Sequence, residues 1–152
     1  MRIYADTSVF GGLFDPEFAH ASQALFEEFE SGRFVLVTSA LVEAEIEPAP
    51  EAVRAAFFHH TAEAEIALVD GKVLLLQQAY LQAGVVTTKS TDDALHVAMA
   101  TVSACELIVS WNFKHIVHFD KIPKYNAVNT LQGYGPIGIF SPLEVIRYDN
   151  EP

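Results

Sequence analysis

Three carboxylates stand where an ordinary solvated acid has no reason to be. Asp6 ends RIYAD, residues 2–6, a run of strand type, and Thr7 and Ser8 put hydroxyls beside it. A carboxylate at a strand end is costly to desolvate without partners, and the plain alternative is an Asp that caps the next turn. Glu45 follows from helical geometry. At about 100° per residue, Leu41, Val42, Glu45 and Ile46 share one face, while Glu43 and Glu47 fall on the other. Glu45 therefore lies in an apolar stripe, where it reaches out to water or faces a polar cavity. Asp93 opens a segment with no charge from Ala94 to Ala104 other than a protonated His96. It shares a face with Val97, Ala100 and Ala104, and Asp92 shares one with His96 and Met99. The helix dipole rewards either acid by roughly 0.3–1 kcal/mol, but it does not account for an acid on the packed face.

If Asp6, Glu45 and Asp93 meet at one end of a sheet, the cluster needs a cation, because like charges raise each other's pKa. An all-oxygen donor set favours Mg2+ or Mn2+ over zinc. The matching chemistry is metal-activated water attacking a phosphodiester. The stretch LIVSWNFKH, 107–115, brings Asn112 to the same rim with Ser110 and Trp111 beside it, and Lys114 and Lys89 are candidate phosphate contacts. His96 reads first as a core histidine bonded to a neighbour and second as a residue of the site's rim. His115 and His118 are three apart but lack further ligands at zinc spacing.

The elements that must position these residues alternate between strand and helix. Apolar runs at 34–38, 106–111 and 137–141 read as strands, and EIALV at 65–69 as a strand or a helix start. Helical periodicity covers 17–30, the segment after Ser39 to about Glu47, EAVRAAFFHH, KVLLLQQAYLQAG, DDALHVAMATVSAC and residues near 125–131. Gly11-Gly12 and Asp15-Pro16 mark a loop, and Ser141-Pro-Leu-Glu144 is a capping box. This order predicts an α/β fold, a single domain over 1–152 with its core in 1–146. Its mainly parallel central sheet is flanked by helices and carries its ligand site at the carboxyl ends of the strands.

Composition sets the outer bounds. With 152 residues, 51% of them hydrophobic, the chain can bury a core, and no apolar run approaches a membrane span. The start, MRIYADTSVF, carries no secretory pattern, and the single Cys105 suits a reducing compartment, so the expected location is cytoplasmic. Twenty acids against nine Lys and Arg give a net charge of −11. That argues against simple electrostatic adhesion to nucleic acid, though not against a polyanion bridged by metal. Glu27, Glu28, Glu30, Glu63, Glu65, Asp149 and Glu151 read as solvated.

YADTS with Asp6, SALVEAEI with Glu45, TDDALHVAMA with Asp93 and LIVSWNFKHI with Asn112, in that order, resemble the PIN-domain ribonucleases, the family that includes VapC-type toxins. The resemblance runs from about residue 1 to 146. It implies a PIN-like fold and Mg2+- or Mn2+-dependent cleavage of single-stranded RNA, with Asp6, Glu45 and Asp93 as metal-binding acids. Asn112 would be an auxiliary ligand or hold a water, where many members have Asp. Ser8 or Thr7 would be the hydroxyl beside the first acid. The resemblance further implies a homodimer and an antitoxin partner. The rival reading is a non-catalytic PIN-like module that binds RNA or protein, and Asn112 is the residue that supports it. A phosphorylated α/β receiver is disfavoured, because the late strand IGIFS ends in Ser141 and not in Lys.

Overall fold

The computed structural model describes residues 1–148, so the expectation that Asp149 and Glu151 are solvated lies outside the described residues. Five strands form one sheet: β1 (Arg2–Ala5), β2 (Val35–Ser39), β3 (Glu65–Ala67), β4 (Leu107–Val109) and β5 (Gly138–Phe140). Their spatial order is β3-β2-β1-β4-β5, and every pair is parallel. Eight helices flank it: α1 (Thr7–Gly12), α2 (Ala19–Glu30), α3 (Ala40–Ile46), α4 (Glu51–Thr61), α5 (Gly71–Gln82), α6 (Thr91–Val102), α7 (Ile122–Leu131) and α8 (Pro142–Val145). The α5, α6 and α7 helices pack on one another, as do α1 to α4.

The order places the site. From β1 the chain moves outward to β2 and β3, then returns to lay β4 on the other side of β1. The direction of winding therefore reverses between β1 and β4, and in open parallel sheets ligands bind outside the carboxyl ends of the strands at such a reversal. Ile3, Tyr4, Ala5, Ile108 and Val109 of these two strands are buried, as strands covered on both faces require. Ala5 pairs with Val109 in register, so Asp6 and Ser110 emerge side by side.

Local signals explain most boundaries. Ser39 caps α3 by accepting the Val42 N–H, Asp70 caps α5 by accepting that of Val73, and Ser141 and Glu144 form the predicted capping box. EIALV is a strand over Glu65–Ala67. The Gly11-Gly12 loop is corrected: both glycines belong to α1, whose start is set by Asp6, and the loop begins only beyond it. Gly12 is small for a packing reason, since a Cβ there would lie 2.7 Å from Ser22 Oγ and from Trp111 Nε1. The α6 helix stops at Val102, before the expected Cys105, because Ala104 turns left-handed at φ 58° and the Cys105 N–H closes on Ala100 O. Two acids read as solvated are paired: Glu65 with Arg2 at 2.8 Å, and Glu28 with Arg33 at 2.7 Å. Cys105 is buried as expected, and burial pushes its thiol up to about 11.

Candidate active site

Asp6 is 4% exposed and accepts three hydrogen bonds. Oδ1 takes the Ser8 N–H at 3.1 Å and the Ser8 hydroxyl at 2.5 Å, and Oδ2 takes the Ser110 hydroxyl at 2.5 Å. Asp6 caps α1, the plain alternative above, and its other oxygen reaches across to the end of β4. The two serines are themselves fixed by the turn that follows β4. Ser8 Oγ accepts the Trp111 N–H at 2.8 Å, and Ser110 Oγ accepts the Asn112 N–H at 2.9 Å. The turn after β4 therefore orients the first acid through two hydroxyls. Trp111 is anchored in turn by donating Nε1–H to Ser22 and by stacking on Phe18 with centroids 4.2 Å apart.

Glu45 reaches inward from α3. Its Oε1 accepts the Thr7 hydroxyl at 2.9 Å and meets His96 Nε2 at 2.5 Å. Behind it, His96 Nδ1 meets the Tyr4 hydroxyl at 2.7 Å, and Tyr4 meets Ser39 Oγ at 2.8 Å. With a Glu45 carboxylate, Nε2 donates to Oε1, and the directions behind it follow the state of the imidazole. Nδ1 accepts from Tyr4 when the ring is neutral and donates to it when the ring is charged, and the Tyr4–Ser39 bond turns with it, while Ser39 accepts the Val42 N–H in either case. A single buried chain thus links the cap of α3 to an acid on the same helix. His96 is the core histidine of the first sequence reading, 2% exposed and bonded at both ring nitrogens, to Tyr4 and Glu45.

Asp93, the acid that the resemblance selects, is half-buried, and Asp92 is exposed. Asp93 Oδ1 accepts the Asn112 side-chain N–H at 3.0 Å. Asn112 Oδ1 accepts the backbone N–H of Lys114 at 3.2 Å and of His115 at 2.9 Å. Both ends of the Asn112 amide are therefore engaged within the protein, which makes it a brace for Asp93 and a cap for the turn after β4. Lys114 is exposed beside it, and Lys89 is exposed in the short 3-10 turn, residues 88–90, before α6. His118 Nδ1 accepts the Asp120 N–H.

The electrostatics show that the acids sense one another. Burial raises Asp6 above the usual carboxylate range and Glu45 adds to the rise, against His96 and the serine hydroxyls. Burial and Glu45 likewise raise Asp93, against His115, His96 and Asn112. Burial also works against the Glu45 anion, but the hydrogen bond and charge of His96, with Thr7, outweigh it and hold Glu45 low. The site thus combines one stabilised anion with two that burial disfavours, the condition a bound cation relieves. The donor chemistry fits Mg2+ or Mn2+: three carboxylates, with Glu45 Oε2 and Asp93 Oδ2 accepting no hydrogen bond from any described residue. The set is not closed in geometry, because Asp6, Glu45 and Asp93 do not bring one oxygen each within 4.8 Å of one another.

Sequence reasoning missed the Tyr4–Ser39 end of the chain behind His96. A buried Tyr hydroxyl needs a partner, and Tyr4, two residues before Asp6 in a core strand, was the available signal. Ser110 was noted only as a neighbour of Asn112, whereas it is a direct partner of Asp6.

No protein-family model matches the sequence, and no curated protein matches it. Solved structures do. The chain is similar to VapBC2 from Rickettsia felis, crystallised bound to a DNA fragment from its promoter, with a TM-score of 0.62 and 14% identity over 93% of this chain and 98% of that one. It is also similar to FitAcB from Neisseria gonorrhoeae, with a TM-score of 0.56 and 12% identity over 94% of this chain and 99% of that one. At such identities the likeness concerns the fold alone. The chain shares the fold of these structures, a PIN-like α/β fold, as its ordered motifs implied.

Proposed function

We propose that this chain is a Mg2+- or Mn2+-dependent endoribonuclease that hydrolyses phosphodiesters of single-stranded RNA, and that it is the toxin of a toxin–antitoxin pair. The observation that carries the reading is the gathering of Asp6, Glu45 and Asp93 at the winding reversal of the sheet, with burial and mutual repulsion raising two of them. The similar folds of VapBC2 and FitAcB fit a toxin with a protein partner.

Asp6, Glu45 and Asp93 would hold the metal. When bound, such an ion supplies an activated water and stabilises charge developing on the phosphate. The residues of the chain do the rest. Ser8 and Ser110 fix both oxygens of Asp6, so its orientation is set before any ligand arrives. His96 and Thr7 hold Oε1 of Glu45 and leave Oε2 free. Asn112 holds Oδ1 of Asp93 and leaves Oδ2 free. Lys114, exposed two residues beyond Asn112, would meet a phosphate of the backbone.

The second reading is a PIN-like module that binds RNA or a protein without cutting. The observation that favours it is Asn112, whose amide is wholly engaged and adds no negative charge. Incubating labelled single-stranded RNA with the full chain and Mn2+ separates the two. The nuclease reading expects cleavage that EDTA stops and that Asp93→Asn loses. Cleavage that survives either treatment overturns the assignment, and RNA binding without cleavage supports the module.

A further inference from the structure

A second cluster lies at the other end of the sheet. A groove of about 730 Å³ runs past the amino end of β2 and is lined by Phe29, Glu30, Phe34, His59, His60 and Glu63, among others. The proposed nuclease acids stand at the carboxyl ends of the strands, so a strand length of sheet, more than about 10 Å at 3.3 Å per residue, separates the two places. Among the described residues, Glu30, His59 and His60 are the one trio of acids, histidines or cysteines whose ligand atoms all lie within 4.8 Å of one another.

The geometry is that of a ligand set. His60 Nδ1 stands 3.7 Å from Glu30 Oε1. Two ligands bound at ~2.0–2.1 Å to one tetrahedral ion lie about 3.3 Å apart, so a small closure brings this pair to bonding geometry. The two imidazoles meet edge to face with centroids 5.0 Å apart, although neighbours on a regular helix point away from each other. The His60 ring is held in place by stacking on Phe26, with centroids 4.2 Å apart and planes 24° apart. His59 and Glu30 are exposed and reach the groove from the ends of α4 and α2. Two imidazole nitrogens and one carboxylate oxygen suit zinc and its neighbours and not magnesium, which takes oxygen alone. Glu63 lines the same groove, where it or a water can supply the fourth ligand.

We infer that His59, His60 and Glu30 form a metal site of their own, for a divalent ion of the zinc class. It would tie the carboxyl end of α4 to that of α2. Because α4 packs on α1 and α3, which carry Ser8 and Glu45, the tie steadies the helices beneath the acidic rim without joining it. The inference stands apart from the nuclease reading, since no residue is shared.

The test is calorimetric titration of the metal-free full chain with Zn2+, and separately with Mg2+, for wild type, His59→Ala, Glu30→Gln and Asp93→Asn. His60 is left intact because its ring packs on Phe26. His59 and Glu30 are exposed, so their substitution spares the fold. The expected result is one equivalent of Zn2+ bound by wild type and Asp93→Asn alike. His59→Ala and Glu30→Gln should each weaken it by more than about tenfold, the scale on which even outer partners of metal ligands act. Mg2+ binding should not respond to either substitution. The inference is overturned by no Zn2+ binding in wild type, by equal Zn2+ affinity in both groove variants, or by Zn2+ binding that disappears with Asp93→Asn.

Discussion

Asp93 carries its charge at a cost to the fold, and that cost is measurable. It is half-buried, faces the charge of Glu45, and is held above the usual carboxylate range by burial first and repulsion second. Between the ordinary carboxylate value and the raised one, the folded chain binds more protons than the unfolded chain. Stability therefore falls as pH rises through that window and stays lower above it. Asp6 acts in the same sense, and Glu45, whose value is lowered, in the opposite one. Asp93→Asn keeps an oxygen for the Asn112 N–H and removes the charge. The expected outcome in thermal denaturation at neutral pH is a higher midpoint, by roughly 2–4 °C for each kcal/mol of relieved repulsion in a chain of this size, with a flatter dependence on pH. A lower midpoint would show that the Asp93 anion stabilises the fold instead. The same shifts bear on activity. Carboxyls bind a metal only when ionised, so the acid limb of the cleavage–pH profile should lie above the ordinary carboxylate range, and a limb at or below that range would contradict the raised values. At this scale the sequence was informative for a definite reason. Helical spacing separated Glu45 from Glu43, and the family resemblance chose Asp93 over Asp92; Asp93 is half-buried, while Glu45 stays exposed with one carboxylate oxygen on the buried His96. The partners that make these acids tolerable, such as Tyr4 behind His96 and Ser110 beside Asp6, come from elements 92 and 104 residues away, and no local pattern encodes such pairings.

Gly12 shows how the elements bear on the site. It ends the helix that Asp6 begins, and it lies against Ser22 and Trp111, whose backbone N–H fixes Ser8. Gly12→Ala puts a methyl carbon 2.7 Å from Ser22 Oγ and Trp111 Nε1, and the indole is already stacked on Phe18. Overpacking of this kind costs typically about 1–3 kcal/mol. The expected outcome in urea denaturation is a lower midpoint with an unchanged slope, together with weaker cleavage from a displaced Ser8. An unchanged midpoint would mean that Trp111 yields freely. Read from sequence, Gly11-Gly12 looked like a loop because two glycines normally punctuate one. The structure makes Gly12 a contact residue instead, a role set by the distant Trp111. The end of α6 escaped sequence reading for a related reason: its left-handed turn falls on Ala104, a residue type that gives no such signal. Strands and caps, by contrast, were legible, because runs such as FVLVT and the Ser141–Glu144 box act within a few residues.

Over the whole molecule, a net charge of −11 means that RNA, the proposed substrate, would be drawn by few cations. Lys114 is exposed at the acidic rim. In an Asp93→Asn background, where RNA is not cut, Lys114→Ala should weaken binding uniformly across sequences and reduce the salt slope of affinity by about one. An unaltered slope in fluorescence anisotropy would remove Lys114 from the RNA path. The parallel character of the sheet followed from alternating strand and helix signals, while the strand order β3-β2-β1-β4-β5, with its reversal between β1 and β4, came only with the three-dimensional structure. That reversal is what brings residues 6, 45, 93 and 112 to one rim. The central claim is that this rim is a metal site. Its most direct measurement is calorimetric titration of Mn2+ into the full chain carrying His59→Ala, with and without Asp93→Asn. The account predicts saturable Mn2+ binding that Asp93→Asn weakens by more than about tenfold while the protein stays folded. Equal binding with and without Asp93 would contradict it.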